Sequence, residues 1–184
     1  KKDFIVEKGD AYGIDFNLKY DYKRNYVWFV YSLGYVHRND GYIEYPPHFD
    51  RRHNVNFIYS RTFGKNLNWE ASFRWNLGSG FPFTKTKAYY EKLPFNNISV
   101  DVTSANGDIA VYYDELNGGR LPYYHRLDFT LKRKIVFLNE SQLDFALSIT
   151  NCYDRNNIFY WDRLNHERVD QLPIMPSVGL SYSF

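Results

Sequence analysis

The chain has 184 residues, with 23 Lys+Arg against 21 Asp+Glu and a formal net charge of +2. Phosphate neutralisation needs clustered excess charge, so this near-balance excludes a nucleic-acid partner gripped by a basic face. At 44% hydrophobic and 24% charged, the sequence is also too apolar for a disordered chain. Aromatic residues are the outlying class: 18 Tyr, 15 Phe and 4 Trp make up 20% of the chain, beside a single Met. Rings and β-branched residues in place of Ala, Leu and Met point to β-structure. The lone Cys152 cannot close an internal disulfide. No run of 18 apolar residues predicts a transmembrane helix, and Lys1-Lys2-Asp3-Phe4 lacks the apolar core of a signal peptide.

Seven segments alternate strictly, which predicts strands with one apolar and one polar face. The first sets Tyr12, Ile14, Phe16, Leu18 and Tyr20 against Gly13, Asp15, Asn17 and Lys19. The second carries Phe29, Tyr31, Leu33 and Tyr35, and the third Val55, Phe57 and Tyr59. Trp69, Ala71, Phe73 and Trp75 form the fourth, with Glu70 and Arg74 between them. Leu127, Phe129 and Leu131 form the fifth, interleaved with Arg126, Asp128 and Lys132. Leu143, Phe145, Leu147 and Ile149 form the sixth, and Val178, Leu180, Tyr182 and Phe184 the last. Short turns fall near Lys23–Asn25, Gly64–Asn66 and Val136–Glu140, and long polar loops at Asn39–Asp50, Ser79–Pro122 and Asp154–Pro173. This short–long rhythm predicts an all-β, antiparallel up-and-down sheet, with tight turns at one end and large loops at the other.

Alternation alone fits a soluble sandwich or lipocalin-like barrel, with the apolar face inward. It fits a transmembrane barrel equally, with the apolar face toward lipid. Three features favour the membrane. The apolar runs have the length that crosses a bilayer at a tilt. Aromatics gather toward segment ends (Tyr12 and Tyr20, Tyr26 and Tyr35, Trp69 and Trp75, Tyr182 and Phe184), as in interfacial girdles. The apolar face carries no charge, whereas the other face pairs Glu70 with Arg74 and Asp128 with Arg126 and Lys132. The ending Val178-Gly179-Leu180-Ser181-Tyr182-Ser183-Phe184 looks like the assembly signal of bacterial outer-membrane proteins.

Several stretches in order then resemble the C-terminal barrel segment of a TonB-dependent outer-membrane receptor of the Bacteroidetes type. They are Glu7-Lys8-Gly9-Asp10-Ala11-Tyr12-Gly13-Ile14-Asp15, Phe49-Asp50-Arg51-Arg52-His53-Asn54-Val55 and Gly78-Ser79-Gly80-Phe81-Pro82. The others are Leu121-Pro122-Tyr123-Tyr124-His125-Arg126-Leu127-Asp128, Ile149-Thr150-Asn151-Cys152-Tyr153-Asp154-Arg155-Asn156-Asn157 and Pro173-Ile174-Met175-Pro176-Ser177. Cys152 departs from the aliphatic residue more usual in the family. The resemblance implies energy-coupled nutrient uptake across the bacterial outer membrane, of a siderophore, cobalamin, glycan or peptide. The partners it implies are outer-membrane lipid, the rest of the barrel and its plug domain, the TonB complex, and the barrel-assembly machinery. At about 26 residues per strand, a barrel of about 22 strands takes roughly 570 residues, so residues 1–184 read as its last seven strands. Lys1–Glu7 reads as a strand already begun. A small stand-alone outer-membrane barrel with a structural or adhesive role, and a soluble β-sandwich binding module, remain alternatives.

No catalytic constellation is visible, and the expectation is a non-enzyme without cofactor. His37, His48, His53, His125 and His166 show no metal-ligand spacing. Asn97-Ile98-Ser99 and Asn139-Glu140-Ser141 match a glycosylation pattern too common to weigh. Gly9 and Gly13 suit strands that bend or pack closely. Arg51, Arg52 and His53 open a strand where they can meet headgroups or sugars, or simply be solvated. Ligand contact is expected from the loops, where Tyr89, Tyr90, Asp108, Tyr112, Tyr113, Asp114, Glu115, Tyr160, Trp161, Asp162 and His166 mix rings with carboxylates. The competing reading of these loops is mutual packing.

Overall fold

A computed structural model describes residues 7–92, 107–137, 141–165 and 167–184. Lys1–Val6, Asn97-Ile98-Ser99, Asn139-Glu140 and His166 lie outside the described residues. The strands are β1 (Lys8–Tyr22), β2 (Asn25–Asn39), β3 (Glu44–Tyr45), β4 (His53–Phe63), β5 (Trp69–Gly78), β6 (Pro82–Phe83) and β7 (Thr86–Lys92). They continue with β8 (Asp108–Tyr113), β9 (Gly119–Arg120), β10 (Tyr124–Val136), β11 (Gln142–Thr150), β12 (Ile158–Asp162), β13 (Glu167–Asp170) and β14 (Met175–Ser183). No helix occurs among the described residues.

The seven alternating segments are the seven long strands. They form one sheet in the order β1-β2-β4-β5-β10-β11-β14, with β3 added beside β2. Every pairing in it is antiparallel. A two-residue turn joins β1 to β2, with Lys23 at φ 56°. Residues 64–68 join β4 to β5, and Phe137 donates its N–H to the Ser141 carbonyl at 2.9 Å between β10 and β11. The three long connections leave from the opposite end. They are not plain loops: β6 pairs with β9, β7 with β8, and β12 with β13.

The register carries the apolar pattern across the sheet without a break. Leu18 lies opposite Phe29, which faces Phe57, then Trp75 and Leu127. One row over, Tyr59 faces Phe73, then Phe129 and Ile149. Leu147 faces Val178 and Phe145 faces Leu180. The opposite face aligns Asn56 with Asn76 and Arg126, and Ser60 with Ser72, Thr130 and Ser148.

Full strand lengths correct three details of the sequence reading. The charge-free surface is a central band, because Asp10 and His37 pair on the same face at the loop end. His53 (opposite Leu33) and His125 (opposite Leu77) also sit at that end, while Arg61 (opposite Ala71) and Arg133 (opposite Trp69) sit at the turn end. Tyr26 pairs with Asp21 and Ser60 and so belongs to the polar face, not to a girdle. Glu70 lies opposite Lys132 and Arg74 opposite Asp128, so the charge complementarity runs across strands rather than from Glu70 to Arg74. The ion pair of Arg126 with Asp128 does form, at 2.9 Å.

Apart from Pro47 and Pro82, no described apolar side chain is buried; the buried polar side chains are Asp50, Ser79, Ser141, Asn151 and Asn157. The surface is 14178 Å², where a compact chain of this mass would expose roughly 9,300 Å². Among the described residues no second layer therefore closes over the sheet's apolar face. Both outer strands stay open: Ile14 is 72% exposed on β1 and Leu180 70% on β14. Gly13 lies opposite Gly34, where a Cβ would come within 2.4 Å of the Leu33 carbonyl oxygen, so close strand approach explains that glycine.

Candidate ligand-binding site in the loops

Short polar motifs fix the long loops to the sheet's end. The buried Asp50 carboxylate pairs with Arg120, whose Nη1 also donates to the carbonyls of Asp50 (3.2 Å) and Gly80 (3.3 Å). This pair bridges the first and second loops across 70 positions. Arg120 can reach there because Gly80 packs directly on Leu121, where a Cβ would fall 1.5 Å from its carbonyl oxygen. The Arg51 guanidinium lies 4.3 Å from the Phe81 ring centre, and that of Arg52 4.3 Å from Tyr35. Burial lowers the Arg51 pKa from its ordinary value. Tyr31 Oη lies 3.0 Å from His53 Nδ1. The three residues that open β4 thus engage aromatic rings of the chain itself.

The segment Asn151 to Asn157 does the same for the third loop. Asn151, fully buried with φ 56°, donates to the carbonyls of Arg155 (3.0 Å) and Leu172 (3.2 Å) and accepts from the Arg155 N–H. Its own N–H donates to Asp128 Oδ1 at 3.0 Å. Asn157 exchanges both amide bonds with the His125 backbone. These bonds fold the loop back over the ends of β10 and β11.

Docked this way, the second and third loops enclose a cleft of about 610 Å³. Tyr89 from β7 and Tyr160 and Trp161 from β12 line it. Its walls are joined where Tyr89 donates to the Arg163 carbonyl (2.8 Å) and Arg163 Nη2 to the Thr84 carbonyl (2.7 Å). The Arg163 guanidinium also lies 4.9 Å from the Tyr113 ring. Tyr90 lines a separate hollow with Ile109 and Leu164. It shares a hairpin face with Tyr112 and Asp108, the latter opposite Lys92. Asp114 pairs with Lys87 at 3.8 Å, and Asp162 accepts bonds from Leu164 and Asn165 within its own turn.

The expected mixture of tyrosines and carboxylates is therefore not what the cleft presents. Its charged lining is Lys85, Arg120 and Arg163, and no Asp or Glu lines it among the described residues. Sequence reasoning missed these cations, and Phe83 beside them, because nothing in their spacing predicts convergence over 78 positions.

The proposed assembly residues lie at the opposite margin. Val178, Leu180 and Tyr182 project from the open face of β14, and Gly179 lies opposite Ala146. Tyr182 stacks on Phe184, with ring centres 6.2 Å apart. Among the described residues no three His, Cys, Asp or Glu side chains converge as a metal set.

No family model matches the chain, and no curated protein or solved structure shows significant similarity to it.

Proposed function

We propose that the chain is part of an outer-membrane, energy-coupled uptake receptor of the TonB-dependent kind, supplying lipid-facing wall and part of the outer mouth. The observation that carries this reading is the unbroken apolar band over seven antiparallel strands, with no packing layer above it among the described residues. Lipid is the environment that rewards such a band. Aromatic pairs flank it, with Tyr12 stacked on Tyr35 (5.3 Å) toward the loops and Phe63 on Trp69 (6.2 Å) toward the turns. Arg133 lies 4.9 Å from the Trp69 ring, suited to a headgroup region. Among the described residues β1 and β14 each have one neighbour. Hydrocarbon does not tolerate unpaired strand edges, so further strands must close the barrel.

The test is expression of the full-length receptor with and without Phe184, followed by membrane fractionation and heat-modifiable electrophoresis. Deletion is expected to reduce outer-membrane insertion. An unchanged yield of folded barrel, or partition of the protein into water without detergent, would contradict the reading. Coupling is tested by comparing nutrient-limited growth with and without the energy-transducing complex; uptake independent of that complex would remove the transport half.

A further inference from the structure

We infer that the cleft between the second and third loops binds a small anionic ligand, a carboxylate carried on a sugar or planar ring. The inference rests on the receptor reading only in making that ligand a cargo. Its volume of about 610 Å³ is that of a small-molecule site, not of a protein interface.

The charge arrangement selects the anion. Arg120 is neutralised by Asp50, which leaves Lys85 and Arg163 as the cations facing the cleft. Of the nearby carboxylates, Asp114 pairs with Lys87, Asp162 accepts within its own turn and Glu115 lies against Gly118, and none of them lines the cleft among the described residues. The Arg163 guanidinium is half-buried and fixed by Thr84 and the Tyr113 ring, and the Lys85 side chain lies along Gly119. Arg163, held in place and already stripped of part of its water, attracts an oxyanion more strongly than a solvated cation would, and the exposed Lys85 adds a second positive charge on the same lining. Tyr160 and Trp161 supply the other half of the chemistry, since flat rings stack on the apolar face of a sugar or on another ring. Phosphate alone would use the cations and leave the rings idle. An uncharged ring would do the reverse.

Phenyl β-D-glucuronide and phenyl β-D-glucoside differ in whether C6 is a carboxylate or a hydroxymethyl group, and serve as matched probes. Calorimetric titration of the folded full-length receptor in detergent should show tighter binding of the glucuronide. Lys85→Gln should weaken the glucuronide about tenfold, one charge-assisted hydrogen bond converted to affinity, and leave the glucoside nearly unchanged, whereas Arg163→Gln should weaken the glucuronide at least as much. Trp161→Ala should weaken both probes. Arg163 also holds the cleft wall, so Lys85→Gln, at an exposed side chain, is the decisive variant. Equal affinity for the two probes, no binding of either at millimolar concentration, or a glucuronide affinity indifferent to Lys85→Gln would overturn the inference. Heat modifiability measured on the same samples separates the two failures: a folded barrel without selectivity sinks only the ligand class, whereas loss of the barrel sinks the receptor reading.

Discussion

Asp50 shows how much one side chain determines at the mouth of this protein. Its carboxylate is 1% exposed, and Oδ1 has no hydrogen-bond partner among the described residues. Arg120 thus supplies its compensating charge, from a position about one-third exposed. Removing one partner of a buried pair leaves an uncompensated charge, which costs more than the pair itself contributes. Arg120→Ala is therefore expected to destabilise the loop end by about 3 kcal/mol. The neutral double variant Asp50→Asn/Arg120→Ala should regain most of that loss. Urea unfolding of the four corners of this cycle measures the coupling, and additive effects would contradict it.

Asp40 makes a complementary case at the tip of the first loop. Bonds from the Ile43 and Tyr42 N–H groups, each 2.9 Å from Oδ1, lower its pKa from 3.8. A depressed carboxylate contributes order that is complete above its unfolded pKa and is lost as pH falls through the folded one. The turn at 40–43 should therefore hold at neutral pH and loosen only below the ordinary carboxylate range. Amide chemical shifts of Tyr42 and Ile43 followed in an acid titration check this; movement centred above 3.8 would contradict it.

The strands argue from parity. Phe129 faces Phe73 and Ile149 on the apolar side, while its neighbour Thr130 faces Ser72 and Ser148 on the other. Thr130 Oγ1 lies 3.1 Å from Ser148 Oγ, a polar contact that a wet interior tolerates. In lipid these adjacent positions meet opposite solvents. A fluorophore on cysteine at position 129 should be quenched by brominated acyl chains, and one at 130 should not, with Cys152 replaced by alanine in both. Equal quenching would remove the face assignment.

Parity also explains what was legible beforehand. Val55, Phe57 and Tyr59, or Leu143 to Ile149, announce strands because every second side chain repeats the same solvent. Strand ends were less legible: β1 begins at Lys8 rather than Tyr12, since backbone pairing with β2 continues where the side chains turn polar. The hairpin of β7 and β8 was invisible, because Lys87-Ala88-Tyr89-Tyr90-Glu91 does not alternate and its register shifts between Thr86 and Ala88. Of the cleft, the rings Tyr89, Tyr160 and Trp161 could be foreseen as loop aromatics. Lys85 and Arg163 could not, because their convergence depends on Asn151 and Arg120 docking two loops first.

Taken together, the chain is a curtain of strands with furnished loops along one hem and bare turns along the other. Hydrophobic stabilisation normally comes from burying apolar surface within the chain. Here that surface is left outside, so the folded state depends on what meets it. The loops stand on local polar locks instead, as the buried Asp50, Asn151 and Asn157 show. The sheet and the loops accordingly follow different rules of substitution.

The uninterrupted register has a further consequence, for length rather than for composition. None of the six ladders joining the seven strands contains a bulge; the shifts occur only in the β7–β8 and β12–β13 hairpins. One residue added inside a strand would turn every side chain beyond it to the wrong solvent. Two would restore the faces and merely lengthen the strand. Descendants of this gene can thus gain or lose residues within the sheet only in even steps, a parity that does not bind the unpaired stretches of the long loops.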